Sequence, residues 1–207
     1  MRPADAIAQL PTLPLLGKAE WVGAVFVRSK SGHQDCHSWA ALANLARLVL
    51  LALERYRSAA AQIQRAPFVG RTFGISSDLE ACILAIFRAW RLSNLITEQF
   101  RAPAFVPPSP DLNLQTLAEV RDLAMRFDSR SLERPRFPSD RINMPVPKAR
   151  GITWGDFLID PQALAETLVA LWKHMTVVSD WAQQQTDWMH AEASGGASAQ
   201  QAHDIVV

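Results

Sequence analysis

Apolar residues recur at three- and four-residue steps in four stretches of this chain, and each stretch predicts an amphipathic helix. The first covers residues 35–64, where Trp39, Leu42, Ala46, Val49, Leu53, Tyr56, Ala60 and Ile63 build one face. Pro67, Gly70 and Gly74 then predict a break over residues 65–74. The second stretch covers 77–100, with Leu79, Cys82, Ile83, Ile86, Phe87 and Trp90 on its apolar side. Ser77 followed by Glu80 has the spacing of a capping box, which places the helix start at Ser77. The third covers 112–129, with Leu114, Leu117, Val120, Ala124 and Met125 inward. The fourth begins at Pro161, a favoured first-turn residue, with Asp160 as its cap. Leu164, Leu168, Leu171, Met175, Val178 and Ala182 mark its face, and the pattern carries to about His190.

Between these stretches the pattern weakens. Residues 101–110 hold four prolines and cannot be helical throughout. Residues 130–150 read as irregular, with Pro135, Pro138, Pro145 and Pro147. Residues 152–159 alternate loosely around Gly155-Asp156, which predicts a small hairpin. Near the N-terminus, Pro3, Pro11 and Pro14 precede an apolar stretch at 21–27 that reads as a strand or as an arm packed on the domain. The expected fold is therefore all-α: a four-helix-bundle-like domain at 35–191, with a proline-rich N-terminal arm at 1–34 and a small β-hairpin before the last helix. Residues 192–207, rich in Gly, Ala, Ser and Gln, read as a flexible tail. No internal repeat is visible.

At 207 residues, 49% of them hydrophobic, the chain can bury a substantial core. Its formal net charge of +1 imposes no global preference for nucleic acid or membrane. The strongest apolar run, residues 48–53, lies between Arg47 and Glu54 and is far too short to span a bilayer. Residues 1–17 lack the basic start and apolar run of a secretory signal. Cys36 and Cys82 form no Cys-x-x-Cys pair, so reduced thiols in a soluble cytoplasmic protein are expected. There is no glycine-rich phosphate loop and no dinucleotide fingerprint, and no cofactor is expected.

Chemistry concentrates at Arg121-Asp122, with Arg126 and Arg130 following on the third helix. Helix order and this dipeptide together resemble the HEPN superfamily of helical bundles, many of which are metal-independent ribonucleases of toxin–antitoxin and phage-defence systems. Their hallmark is an arginine, often followed by Asn or Asp, with a histidine after four to six intervening residues. Arg121-Asp122 matches its start, and the architecture that supports the resemblance spans residues 35–190. In the four-residue spacing the histidine position is occupied by Arg126. A histidine there would move the proton of the attacking 2′-hydroxyl, which needs a group titrating near neutrality. Arginine stays protonated and has no acceptor, so Arg126 can hold a phosphate but cannot act as a base.

The resemblance thus implies a protein that binds or dimerises and does not cut, with Arg121, Asp122, Arg126 and Arg130 as binding residues and none catalytic. The rival reading is a ribonuclease in which Arg121 contacts the scissile phosphate and a histidine from elsewhere in the fold moves the proton. A third is an unrelated helical scaffold. The residues also admit a plainer account, in which Asp122 and Arg126 form an i, i+4 ion pair contributing about 0.2–0.5 kcal/mol.

Three further clusters bear on partners. His33, Asp35, Cys36 and His37 are the densest metal-capable set, but Asp35 reads as a helix cap beside solvated histidines, and no metal is expected. Residues 121–150 carry eight Lys or Arg against four acids, with Phe127 and Phe137 among them; such a loop suits RNA, though pairing to Asp128, Glu133 and Asp140 is favoured. Trp172, Trp181 and Trp188 on the last helix do not all share the Leu164–Leu168–Leu171 face, which marks either a protein-partner surface or a helix wrapped on several sides. His174, among apolar neighbours, reads as a core or interface histidine. A homodimer is the expected assembly.

Overall fold

The computed structural model describes residues 9–16, 25, 28, 36–65, 69–130, 144–148 and 150–203, with side chains described up to residue 124 in the third helix and 185 in the last. Among these residues four long helices and three short strands follow in order: α1 (Cys36–Gln64), α2 (Val69–Phe100), α3 (Leu114–Arg130), β1 (Val146–Lys148), β2 (Gly151–Trp154), β3 (Phe157–Ile159) and α4 (Pro161–His203). The fold is all-α with a small antiparallel sheet before the last helix, as the periodicity predicts.

The core is built from the predicted faces. Leu42, Ala46, Val49 and Tyr56 of α1 are buried, as are Leu79, Ile83, Ile86 and Phe87 of α2, Leu117 and Val120 of α3, and the whole Leu164–Ala182 stripe of α4. Each fully buried Leu or Ile contributes about 1.5–3 kcal/mol relative to an exposed one. Helices α1 and α2 pack antiparallel: Gln62 lies beside Gly74, and Ser58 beside Asp78.

That pairing corrects the expected start of α2. The helix begins at Val69, so Ser77 is an exposed residue two turns inside it, and the Ser77–Glu80 capping box is not a helix start. Carrying a helix through Gly70 and Gly74 costs about 1 kcal/mol each. Burial of Ile75 and the hydrogen bonds of Asp78 to α1 offset it. At Gly74 a Cβ would stand 2.5 Å from Gln62 Oε1, so a larger residue there would displace the end of the Gln62 side chain.

The other termini follow local chemistry. Arg101, with φ 57°, takes the left-handed position after α2, and its N–H bonds to Thr97 O at 2.9 Å. Asn113 caps α3 by accepting from Thr116 N at 2.9 Å, so the helix starts at Leu114, two residues later than the periodic pattern alone places it. Asp160 caps α4 at Gln162 N (3.2 Å) and Ala163 N (3.0 Å). Helix α4 runs to His203, through the Gly195-Gly196 pair and past the expected end at His190, so residues 192–203, expected as a flexible tail, continue the helix.

The predicted hairpin is β2–β3, joined by Gly155-Asp156 with Trp154 opposite Phe157. Gly155, at φ 59°, supplies the positive φ that the first position of a type II′ turn requires. Strand β1 is an addition to the expected irregular segment at 130–150; it pairs with β2 at the sheet edge, where Pro147 needs no ladder N–H. Of the apolar stretch at 21–27 only Val25 is described, and it is helical and fully buried, not part of a strand. Leu10 is buried too, and Tyr56 donates from its hydroxyl to Pro11 O at 2.7 Å, pinning that part of the arm to α1.

Candidate functional site

The Arg121 side chain projects from α3 toward α2. Its guanidinium carbon lies 4.9 Å from the centre of the buried Phe87 ring, and its Nε donates to Asp122 Oδ1 at 2.8 Å, with Nη2 on the same oxygen. Arg91, one turn along α2 from Phe87, approaches the same ring at 5.9 Å. Two guanidinium groups therefore meet one aromatic ring, and one of them is neutralised by its sequence neighbour. The pair is partly solvated, with the Arg121 and Asp122 side chains 34% and 46% exposed, so it contributes under about 1 kcal/mol to stability. Stacking on Phe87 adds about 0.5–1 kcal/mol. The arrangement orients Arg121 and occupies its Nε edge.

Among the predicted binding residues the structure thus joins Arg121 and Asp122 to each other. The side chains of Arg126, Arg130 and Trp188 and those of the His33–His37 cluster lie outside the described residues, as does the whole of the basic loop at 131–143. No group of three metal-capable side chains is found among the described residues. Trp172 and Trp181 are half-buried on either flank of the α4 core stripe.

Two polar constellations were not anticipated. On α2, Asp78, 7% exposed, accepts from Arg55 Nη1 (3.1 Å), Ser58 Oγ (2.5 Å) and Gln62 Nε2 (2.7 Å) of α1. The signal available was the spacing of Arg55, Ser58 and Gln62, a polar stripe that needs a buried acceptor facing it. Cys82, a free thiol one turn from Asp78, is fully buried and its pKa is pushed up by that burial and by the Asp78 charge.

The second constellation joins α2 to α4. Ser93 Oγ lies 2.6 Å from His174 Nε2, both buried, with Phe105 packed against the imidazole edge at 5.4 Å and Trp90 against Phe105 at 5.2 Å. Burial lowers the His174 pKa to about 4, so the ring is neutral at pH 7. A serine beside a histidine has the composition of a nucleophile and its base. Here both are buried, and the pair works as a polar clasp between two helices; the reading of His174 as a core or interface histidine anticipates its burial but not its Ser93 partner.

A surface of a different kind lies along α4. Two grooves, about 410 and 480 Å³, run between this helix and the arm at residues 11–16, and they meet at Pro14, Val169 and Lys173. Leu15 is fully exposed beside them and Val177 half exposed. No helix among the described residues is long and apolar enough to cross a membrane. Comparison of the chain with protein-family models, with curated proteins and with solved structures gives no match.

Proposed function

We propose that this chain is a HEPN-like helical protein that acts by binding, in the cytoplasm and in a toxin–antitoxin or phage-defence setting, without cleaving RNA itself. The family reading rests on Arg121-Asp122 and the order of the helices. The observation that carries the functional part is the engagement of Arg121: Asp122 takes its Nε edge and Phe87 its face. A guanidinium so held offers a phosphate only its remaining edge, beside a carboxylate that repels the phosphate. The proton-transfer partner is missing as well among the described side chains. His174 is buried, bonded to Ser93 and neutral, and Arg126 stands where the motif histidine would be.

The contact surface in this reading is the outward side of α4, where Val177 is half exposed and Leu15 of the arm lies open beside the helix. An RNA-cleavage assay of the purified protein beside Arg121→Ala tests it. Neither protein is expected to cleave. Cleavage by the parent that disappears in Arg121→Ala would establish the ribonuclease reading instead, with a histidine outside the described side chains as the base.

A further inference from the structure

The two grooves that meet at Pro14, Val169 and Lys173 form one trough between the arm and α4. It follows the helix from Gln162 to Val177, about 22 Å at a rise of 1.5 Å per residue. Its walls are mostly apolar, and they leave a bound peptide little to pair with. On one side the backbone of α4 is spent on its own helical hydrogen bonds. On the other, Pro11 and Pro14 have no N–H, and Pro11 O already accepts from Tyr56. An occupant that needs few hydrogen bonds suits such walls, and a hydrocarbon chain needs none.

Charge is unevenly placed along the trough. Glu166, Lys173 and Asp180 stand at seven-residue steps on the exposed side of α4, so the sign alternates about every 10.5 Å. Glu166 lines the groove nearer Gln162 and accepts from that residue at 2.8 Å. Asp180 lies beyond Val177 and lines neither groove. Lys173 stands between the two acids, at the junction. Among the described residues it is the one cation lining the trough, and it has no ion pair there. The groove on its C-terminal side holds no acid: Leu15, Leu16, Val169, Trp172 and Val177 wall it, with Thr176 as its other polar residue. One anionic group at Lys173 with an alkyl chain along Trp172 and Val177 matches both the charge and the apolar surface. Leu15, fully exposed, stands beside the path of that chain.

We propose that the trough binds a medium-chain carboxylate, with its head on Lys173 and its alkyl chain in the groove walled by Leu16, Val169, Trp172 and Val177. This rests on the reading of this side of α4 as a contact surface and names a small ligand for it. The ligand is a free amphiphile and not a bilayer, which the arm wall of the trough would hold away from Val169 and Trp172.

Isothermal titration calorimetry of the full-length protein with decanoate, kept below its micelle threshold, tests it. A dissociation constant on the order of 100 µM is expected for a ligand of this size. Octanoate should bind about fivefold to tenfold more weakly, because it buries a shorter chain. Lys173→Gln should weaken decanoate about tenfold, while Lys173→Arg should keep it. Val177→Glu sets a carboxylate in the path of the alkyl chain and should weaken binding about tenfold as well. Both positions are exposed, so the circular dichroism of each variant should match the parent. No binding of decanoate at up to about ten times the expected constant overturns the proposal. So does binding that ignores Lys173→Gln and Val177→Glu, or decanol or decyltrimethylammonium binding as well as decanoate. Cosedimentation with anionic phosphatidylglycerol vesicles in place of decanoate binding overturns it too. No RNA enters these measurements, so their failure leaves the cleavage assay, and the reading it tests, standing.

Discussion

Acid should weaken this protein through His174. The ring is buried between α2 and α4, bonded to Ser93 and edged by Phe105, and its pKa falls from 6.5 to about 4. The folded value lies below the unfolded one, so as pH drops the unfolded chain takes up the proton first. The stability that the neutral ring confers is complete above about pH 6.5 and is lost as pH falls toward 4. The full gap corresponds to about 3 kcal/mol, of which about 2 kcal/mol is lost between pH 7 and pH 5. Some solvent access at the ring makes that an upper figure. The perturbation that isolates it is His174→Gln, which keeps a polar group near Ser93 but cannot titrate. Urea unfolding of parent and variant, followed by tryptophan fluorescence at both pH values, measures the difference; carboxylate effects common to the two cancel. The parent's advantage over the variant should shrink by about 2 kcal/mol on acidification. A pH-independent difference would refute the reasoning, as would an NMR titration of the His174 ring with its midpoint near 6.5.

Two further perturbations test how the elements are joined. Asp78→Ala removes the acceptor shared by Arg55, Ser58 and Gln62; because Arg55 is partly solvated, the cost should sit near 2–3 kcal/mol, read as a lower urea midpoint with an unchanged slope. Gly155→Ala puts a side chain at φ 59° and 2.6 Å from Leu123 Cδ2, where α3 meets the hairpin, and should cost about 1–3 kcal/mol in the same assay. An unchanged midpoint for Gly155→Ala would mean that the turn relaxes without disturbing α3.

What could be read from the residues alone was local. The Asp160-Pro161 start of α4, its buried stripe, the Gly155-Asp156 turn and the inward faces of α1 to α3 each depend on residues within a few positions of one another, where helix period, cap chemistry and turn chemistry act. Position 126 was legible in the same way, since an arginine in place of a titratable group is a statement about one side chain. Tertiary packing decided the rest. Ser77–Glu80 has the right spacing for a capping box, yet contacts between α1 and α2 carry the helix back to Val69, because burial outweighs a cap worth about 1 kcal/mol. Strand β1 exists because β2 offers it a ladder; a segment with Pro145 and Pro147 has little intrinsic tendency to form one. The same holds at the candidate site. Nothing near Arg121 in sequence announces Phe87, and nothing near His174 announces Ser93, 81 residues away. Sequence set which faces of these helices must be covered. Only the tertiary structure settled which polar groups were buried together, because desolvation and hydrogen bonding between distant residues depend on which helices become neighbours.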